Sequence, residues 1–337
     1  MIKSSILKLA EGKNLTENEA GFTADSIMRG DATPSQIGAI LMGLRIKGET
    51  IDEITGFAKS MREHSLHIKP TNPNLVDTCG TGGDLSHTFN ISTVSALVAA
   101  GAGVSIAKHG NRSVSSKSGS ADLLESLGVK IDIDPKKVEK CINEIGIGFM
   151  FAPSFHPAMK FAGVTRREIG VRTIFNILGP LTNPAGAGLQ ILGVYSEALC
   201  EKMAEVLKKL GTRHALIVHG MDGMDELSIS SETKISKLKE GNIKNYSIKP
   251  EDFGLVRAPK ESIKVQNIEE SRVVSVEILE KHEDGPKMDV ILLNAAAAIY
   301  ISGLAKDIKE GIIKAKESIR SNSALNKLKQ LVKLSNE

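Results

Sequence analysis

Asp77-Thr78-Cys79-Gly80-Thr81-Gly82-Gly83-Asp84 places a glycine-rich loop between a short apolar run and the helical pattern that follows Asn90. Such a loop presents bare backbone N–H groups to phosphate, and its glycines admit positive φ and close approach of a ligand. Standing alone it reads equally well as an ordinary turn between strand and helix. Its spacing is neither the Gly-x-x-x-x-Gly-Lys-Ser/Thr of a nucleoside-triphosphate loop nor the Gly-x-Gly-x-x-Gly of a dinucleotide fold. Just downstream, Thr88-Phe89-Asn90-Ile91-Ser92-Thr93 sets hydroxyls and an amide at a helix start. Capping alone uses one such group, so the surplus favours a polyanion, with Ser92 offering an oxygen to a hard cation.

A second polar cluster runs from Lys108-His109-Gly110-Asn111-Arg112 through Ser113, Val114, Ser115, Ser116 and Lys117 to Ser120 and Asp122. Cations interleaved with small donors suit a pyrophosphate, although the same composition also makes a polar surface loop. Two such loops after neighbouring strands favour a ligand, because parallel sheets bind ligands beyond the carboxyl ends of their strands. Asp222-Gly223-Met224-Asp225-Glu226 could hold magnesium and its waters, or be an Asp-Gly turn with solvated acids. His219 has no second histidine beside it and is given no metal role. In Thr165-Arg166-Arg167 an arginine could clamp a carboxylate through paired N–H donors, or simply face solvent.

These residues need a scaffold, and the 337-residue chain is long enough for one large and one smaller domain. Lys and Arg number 43 against 40 for Asp and Glu, with no basic block, so charge makes no case for nucleic acid. Tryptophan is absent and aromatics are 4%, which leaves little for a base-stacking platform. Cys79, Cys141 and Cys200 fit neither a disulfide framework nor a zinc site, and a reducing cytoplasm is expected. Charges interrupt every apolar run, so neither export nor membrane insertion is expected.

Up to about residue 70 the pattern is helical: Thr16 with Glu19 reads as a capping box, Thr33-Pro34 as a helix start, and Ile51 to Glu63 as a further helix. Pro70-Thr71-Asn72-Pro73 reads as a linker. Beyond it, apolar strand candidates at 75–77, 104–107, 148–151, 191–194 and 215–218 alternate with helical segments such as 121–127 and 198–210. A largely parallel sheet flanked by helices follows, closed by an apolar helix from Asp289 and Lys-rich amphipathic helices after Lys306.

In this order and spacing the motifs, together with Leu-Leu-Asn-Ala-Ala-Ala-Ala-Ile-Tyr at 292–300, closely resemble the anthranilate phosphoribosyltransferases over nearly the whole chain. The resemblance implies an α/β fold in which a small N-terminal helical domain, residues 1–70 joined in space by roughly 165–185, is hinged to a large domain, residues 74–337, with a mostly parallel central sheet flanked by helices. It implies transfer of the phosphoribosyl group of phosphoribosyl pyrophosphate (PRPP) to anthranilate in tryptophan biosynthesis, with two magnesium ions per monomer and a homodimer formed through the helical domain. Matched residue by residue, Gly80, Gly83, Asp84, Thr88, Asn90, Ile91, Ser92, Thr93, Lys108 to Ser116 and Ser120 would bind the donor. Gly80, Asn111 and Arg166 would meet anthranilate, and Ser92, Asp225 and Glu226 would hold the metal. Two positions beside the acceptor channel depart from the family's common pattern, Phe155 standing for His or another polar residue and Val164 for Pro.

The chemistry implied is displacement of pyrophosphate from the anomeric carbon through an oxocarbenium-like transition state, with no dedicated nucleophile or general base. Domain closure is expected to bend the chain near Pro70 to Pro73. Two alternatives stay open from the residues: a pyrimidine nucleoside phosphorylase on the same architecture, and a non-catalytic relative that binds nucleic acid.

Overall fold

The computed structural model describes residues 2–84, 86–112 and 119–337. Four helices open the chain: α1 (Ile2–Ala10), α2 (Glu17–Met28), α3 (Pro34–Lys47) and α4 (Ile51–Glu63). Thr16 with Glu19 caps α2 in a reciprocal box, and Thr33 with Gln36 does the same for α3 ahead of Pro34. Thr50 and Glu53 repeat the device at α4. Each box satisfies two N–H groups that a helix start leaves orphaned, and a cap of this kind contributes about 1 kcal/mol. Ile27, Ile40, Leu44, Ile54 and Phe57 are fully buried between the four helices.

The large unit then alternates β1 (Leu75–Gly80), α5 (Ile91–Gly101), β2 (Ser105–Gly110), α6 (Ser120–Ser126), α7 (Pro135–Ile145) and β3 (Ile147–Phe151). Three short helices, α8 (Ala152–Phe155), α9 (Lys160–Ile169) and α10 (Phe175–Leu178), lead to β4 (Leu189–Gly193), α11 (Leu199–Lys209) and β5 (His214–Gly220). A hairpin of β6 (Thr233–Lys239) and β7 (Asn242–Ile248) precedes α12 (Ile268–Glu280), α13 (Pro286–Ile301), α14 (Ile308–Arg320) and α15 (Ser323–Asn336). The sheet runs β3-β2-β1-β4-β5-β6-β7, parallel through β5 and antiparallel at the last two strands. From β1 the chain winds outward to β2 on one side and later to β4 on the other. That reversal opens a crevice at the carboxyl ends of β1 and β4, where open α/β sheets bind their ligands.

Both sheet faces are covered, as the continuous apolar runs of its strands require. Val76, Ile106, Ile191 and Leu216 face the layer of α5 and α12 to α15. On the other face Leu192 and Ile217 meet α11 and the N-terminal helices, while Ala107 and Met150 meet α7 and Phe155. Arg62 of α4 staples the two units, donating from Nε to the Leu181 carbonyl at 2.7 Å and from Nη1 to the Leu210 carbonyl at 3.2 Å. α9 lies against α2 and α3, so the chain returns to the helical unit before building β4.

The small helical unit and the large, mostly parallel α/β unit are the architecture expected from the sequence. Three details differ. β1 extends to Gly80 and β2 to Gly110, so Thr78 to Gly80 and Lys108 to Gly110 are strand residues, not loop. The β6-β7 hairpin was not read, although Glu240 (φ 49°) and Gly241 (φ 79°) form the two-residue positive-φ turn that suits a tight hairpin. The 70–73 linker is tied down: Thr71 N–H donates to Asn143 Oδ1 at 2.8 Å and Arg213 Nη2 to the Pro73 carbonyl at 2.8 Å. Bending there would cost these bonds. Among the described residues no helix is long and apolar enough to cross a membrane, and none of the three cysteines is in a disulfide.

Candidate active site at the carboxyl ends of the strands

At the crevice, the turn after β5 folds back over β1 and β4. A Cβ on Gly80 would collide with the Asp225 carboxylate, and one on Gly193 with the Asp225 backbone carbonyl. Only glycine at both strand ends lets the Asp225-Glu226 segment sit this close. Gly82 N–H donates to Asp225 Oδ2 at 2.9 Å, which joins the glycine loop to the acidic turn across 143 positions of sequence. Asp84 stands next to Asp225, near enough for their carboxyl groups to share a hydrogen bond. Burial first and the Asp84 charge second raise Asp225 to about 7, and burial followed by Asp225 pushes Glu226 well above the ordinary range.

Two carboxylates facing each other need either a proton or a cation between them. Among the described residues no three acidic, imidazole or thiol side chains already converge as a metal-ligand set. The donors are nonetheless all hard oxygens, the chemistry of magnesium or calcium sites. Asp222, by contrast, is spent on its own turn: its Oδ2 accepts from Ser228 Oγ at 2.8 Å and its Oδ1 from Met224 N–H at 3.4 Å.

Lys108 lies under this cluster, 3% exposed, at the end of β2. Its ammonium donates to the Thr78 carbonyl and reaches Ser92 Oγ at 3.4 Å. Burial lowers its pKa while Asp77 and Glu226 oppose that fall. Asp77 is fully buried in β1 and accepts from His109 N–H at 3.2 Å and Asn183 Nδ2 at 2.8 Å. Ser92 sits in the first turn of α5, where its backbone N–H favours an ionised Glu226. Asn90 does not cap that helix; its amide oxygen accepts from Ser271 of α12 at 2.8 Å. Ile91 and Thr93 are buried inside α5, facing the core. Thr88 makes a single bridge to Lys264.

Of the second cluster, Ser113, Val114, Ser115 and Ser116 lie outside the described residues. Asn111 is exposed and its carbonyl accepts from Ser120 Oγ at 3.3 Å, while Ser120 Oγ also crowds Gly110. Arg112 points away from the glycine loop, gripping Glu125 at 2.7 and 3.0 Å and Asp122 at 3.1 Å on α6.

On the helical side of the cleft, Arg166 of α9 is half-buried over the Phe175 ring, 5.1 Å from its centroid. Its guanidinium forms no hydrogen bond or ion pair among the described residues, and none joins it to Asn111 or Gly80. Burial lowers its pKa. His109 and His156 stack at 5.0 Å with their Nε2 atoms unpartnered, and burial pulls them to about 3 and about 4, so both are neutral. Arg172 stacks 4.4 Å over Tyr195 and donates to the Gly83 carbonyl, tying this region to the glycine loop; Gly83 itself has φ 73°. Phe155 is buried against Met150 and Val164 is 52% exposed. Sequence reasoning gave no role to Asp77, His156 or Arg172. Their roles depend on partners more than ten positions away.

Comparison with known proteins agrees with this geometry. Residues 3–65 match the glycosyl transferase family's helical bundle domain and residues 72–325 its a/b domain. The chain is 52% identical to the anthranilate phosphoribosyltransferase of Acetivibrio thermocellus, over 100% of this chain and 97% of that protein. It is 51% identical to that of Symbiobacterium thermophilum, over 98% and 96%. The crystal structure of the Thermus thermophilus enzyme superposes with a TM-score of 0.94 at 41% identity, covering 99% of both chains. The Saccharomyces cerevisiae enzyme in complex with PRPP and Mg superposes at 0.91 with 29% identity, covering 99% of this chain and 98% of that one. The same yeast enzyme has also been solved with 4-fluoroanthranilate. Matched from end to end by relatives that share half its residues, the chain belongs to the anthranilate phosphoribosyltransferase family.

Proposed function

We propose that the crevice between β1 and β4 holds PRPP and magnesium, and that the α9 side of the same cleft receives anthranilate, so that the chain makes N-(5-phosphoribosyl)anthranilate and pyrophosphate. The observation that carries this reading is the meeting of Asp84, Asp225 and Glu226 with the glycine loop above the buried Lys108. Asp225, Glu226 and Ser92 would hold magnesium, with Asp84 beside them, and the bound ion would neutralise the departing pyrophosphate. One dication would leave the three carboxylates net negative beside a polyanion, which favours two ions per monomer. Gly80, Gly83, Thr88 and the backbone of the first turn of α5, Asn90 to Thr93, would line the donor, with Lys108 beneath it and His109 to Ser116 and Ser120 beside it. Arg112 would have to leave Glu125 to join them.

The amine of anthranilate forms the new N–C bond at the anomeric carbon as the C–O bond to pyrophosphate breaks, its electron pair leaving with pyrophosphate and the amine proton passing to solvent. Anthranilate's amine is a weak base, so no residue needs to deprotonate it beforehand. Arg166, with no hydrogen bond or ion pair among the described residues, is suited to the anthranilate carboxylate, and Asn111 and Gly80 would complete that contact. His109 Nδ1 donates to the Gly179 carbonyl at 3.2 Å, so in the neutral ring its Nε2, unpartnered among the described residues, offers an acceptor. Positioning and leaving-group stabilisation then supply the rate.

The 165–185 segment is assigned to the helical domain because α9 lies on α2 and α3. Leu7, Phe22 and Ile46 are exposed on that domain, and a second copy of the chain is the expected cover, giving a homodimer. Sedimentation at dimer mass supports this and monomer mass excludes it. Three unpaired thiols suit a reducing cytoplasm. Joint replacement Asp225→Asn/Glu226→Gln should abolish magnesium-dependent turnover; undiminished activity would remove the metal assignment. Phosphate-dependent cleavage of thymidine or uridine by the wild-type chain would instead indicate a nucleoside phosphorylase.

A further inference from the structure

We infer that Asn294 is a positioning residue for the acidic pair Asp225 and Glu226, an inference that rests on reading this pair as magnesium ligands. Between Val290 and Ile299, α13 carries one polar side chain, Asn294, which is 3% exposed. Asparagine lowers helix propensity, and a buried amide is costly unless its hydrogen bonds are made. Here two of the three are made outside the helix. Oδ1 accepts from Leu227 N–H at 3.0 Å, and Nδ2 donates to the Leu227 carbonyl at 2.9 Å and to the Val290 carbonyl at 2.9 Å.

Asn294 therefore binds both backbone groups of one residue, as a neighbouring strand would, and that residue directly follows Glu226. Asp225 to Ser228 belong to no strand or helix, so no ladder fixes their register. A single hydrogen bond would leave the segment free to pivot; the opposed pair fixes its direction as well as its place. Gly82 N–H holds Asp225 from the cleft side, and Asn294 holds Leu227 from the core side. The two carboxylates are thus held between the glycine loop on one side and a buried helix on the other. An apolar side chain of similar size would fill the same space but strand two buried backbone groups, and the segment would shift to find water. Partners that orient ligating carboxylates typically change metal affinity by about 10- to 100-fold when removed.

Manganese alone, followed by the electron paramagnetic resonance signal of the free ion, reports binding without turnover. Asn294→Leu should weaken manganese binding by about tenfold and raise the magnesium needed for half-maximal turnover by the same factor, with the anthranilate KM changed by less than about twofold. Asn294→Ser, whose hydroxyl is too short to span both groups of Leu227, should shift binding in the same direction and serves if the leucine variant does not fold. The Asp225→Asn/Glu226→Gln protein is the control: if it binds manganese like wild type, the acid pair is not the metal site and both readings fall. If that control loses manganese while the Asn294 variants bind it normally, or raise the anthranilate KM equally, the positioning role alone is overturned. Loss of cooperative unfolding in both Asn294 variants would make the residue a requirement of the core and likewise overturn the inference.

Discussion

Arg166, half-buried with no hydrogen bond or ion pair among the described residues, shows how burial without a charged partner suits a group to a ligand. A guanidinium that is half-buried over Phe175 and has no carboxylate of its own gains most from an incoming one. Arg166→Ala should raise the anthranilate KM about 10- to 100-fold, the worth of a charge-assisted hydrogen-bonded pair, with a smaller change in the PRPP KM. Equal changes in the two constants would argue against a carboxylate clamp. His109 and His156 fall from 6.5 to about 3 and about 4. The unfolded chain therefore binds more protons than the native one between these values and 6.5, so their contribution to stability is complete above about pH 6.5 and is lost as pH falls. Asp225 and Glu226, whose pKa values are raised, act in the opposite direction over the same range. The histidine part is read as a difference: urea unfolding from pH 7 to 5 should show a shallower acid loss in His156→Gln than in wild type. Identical slopes would mean that His156 is not held neutral.

At the level of elements, the site depends on strand ends that tolerate no side chain. Gly193→Ala would drive a methyl into the Asp225 carbonyl and displace the acidic turn. Since misplacement by about 1 Å can cost about 100-fold in rate, kcat/KM should fall by that order while the unfolding transition stays cooperative. A wild-type rate in that variant would show that the turn does not need its observed place. Element order and most boundaries were legible in the sequence because caps and strand-to-helix alternation are local signals; Thr16, Thr33 and Ile51 to Glu63 are cases in point. The strand candidate at 75–77 already held Asp77, but local patterns did not reveal that Lys108 lies within a strand and meets Asp77 across the sheet, because that depends on the pairing of β1 with β2. The hairpin β6-β7 hid behind its lysines, whose alternation with Ile235 and Leu238 marks a half-exposed sheet edge. Asn294 left one faint mark, a lone amide in an apolar helix. Its partner Leu227 lies 67 positions away.

For the molecule as a whole, the helical unit is stapled to the sheet through Arg62 and through Lys209, which bridges Glu17 and Asp52. α9 packs on the helical unit while β1 carries the glycine loop in the large unit, and Arg172, just after α9, links the two through the Gly83 carbonyl. Closure that brings Arg166 towards Gly80 would exclude water able to hydrolyse the donor. The motifs conveyed a phosphorylated donor and a hard cation on physical grounds, whereas anthranilate came from likeness to relatives. Substrate identity resides in the shape of a cleft shared by two units, which no single motif encodes. The most direct test follows anthranilate fluorescence after mixing the protein with PRPP. Fluorescence should decay as the amine is substituted when magnesium is present and stay constant when it is chelated. Decay that is indifferent to magnesium, or no decay at all in its presence, would contradict the account.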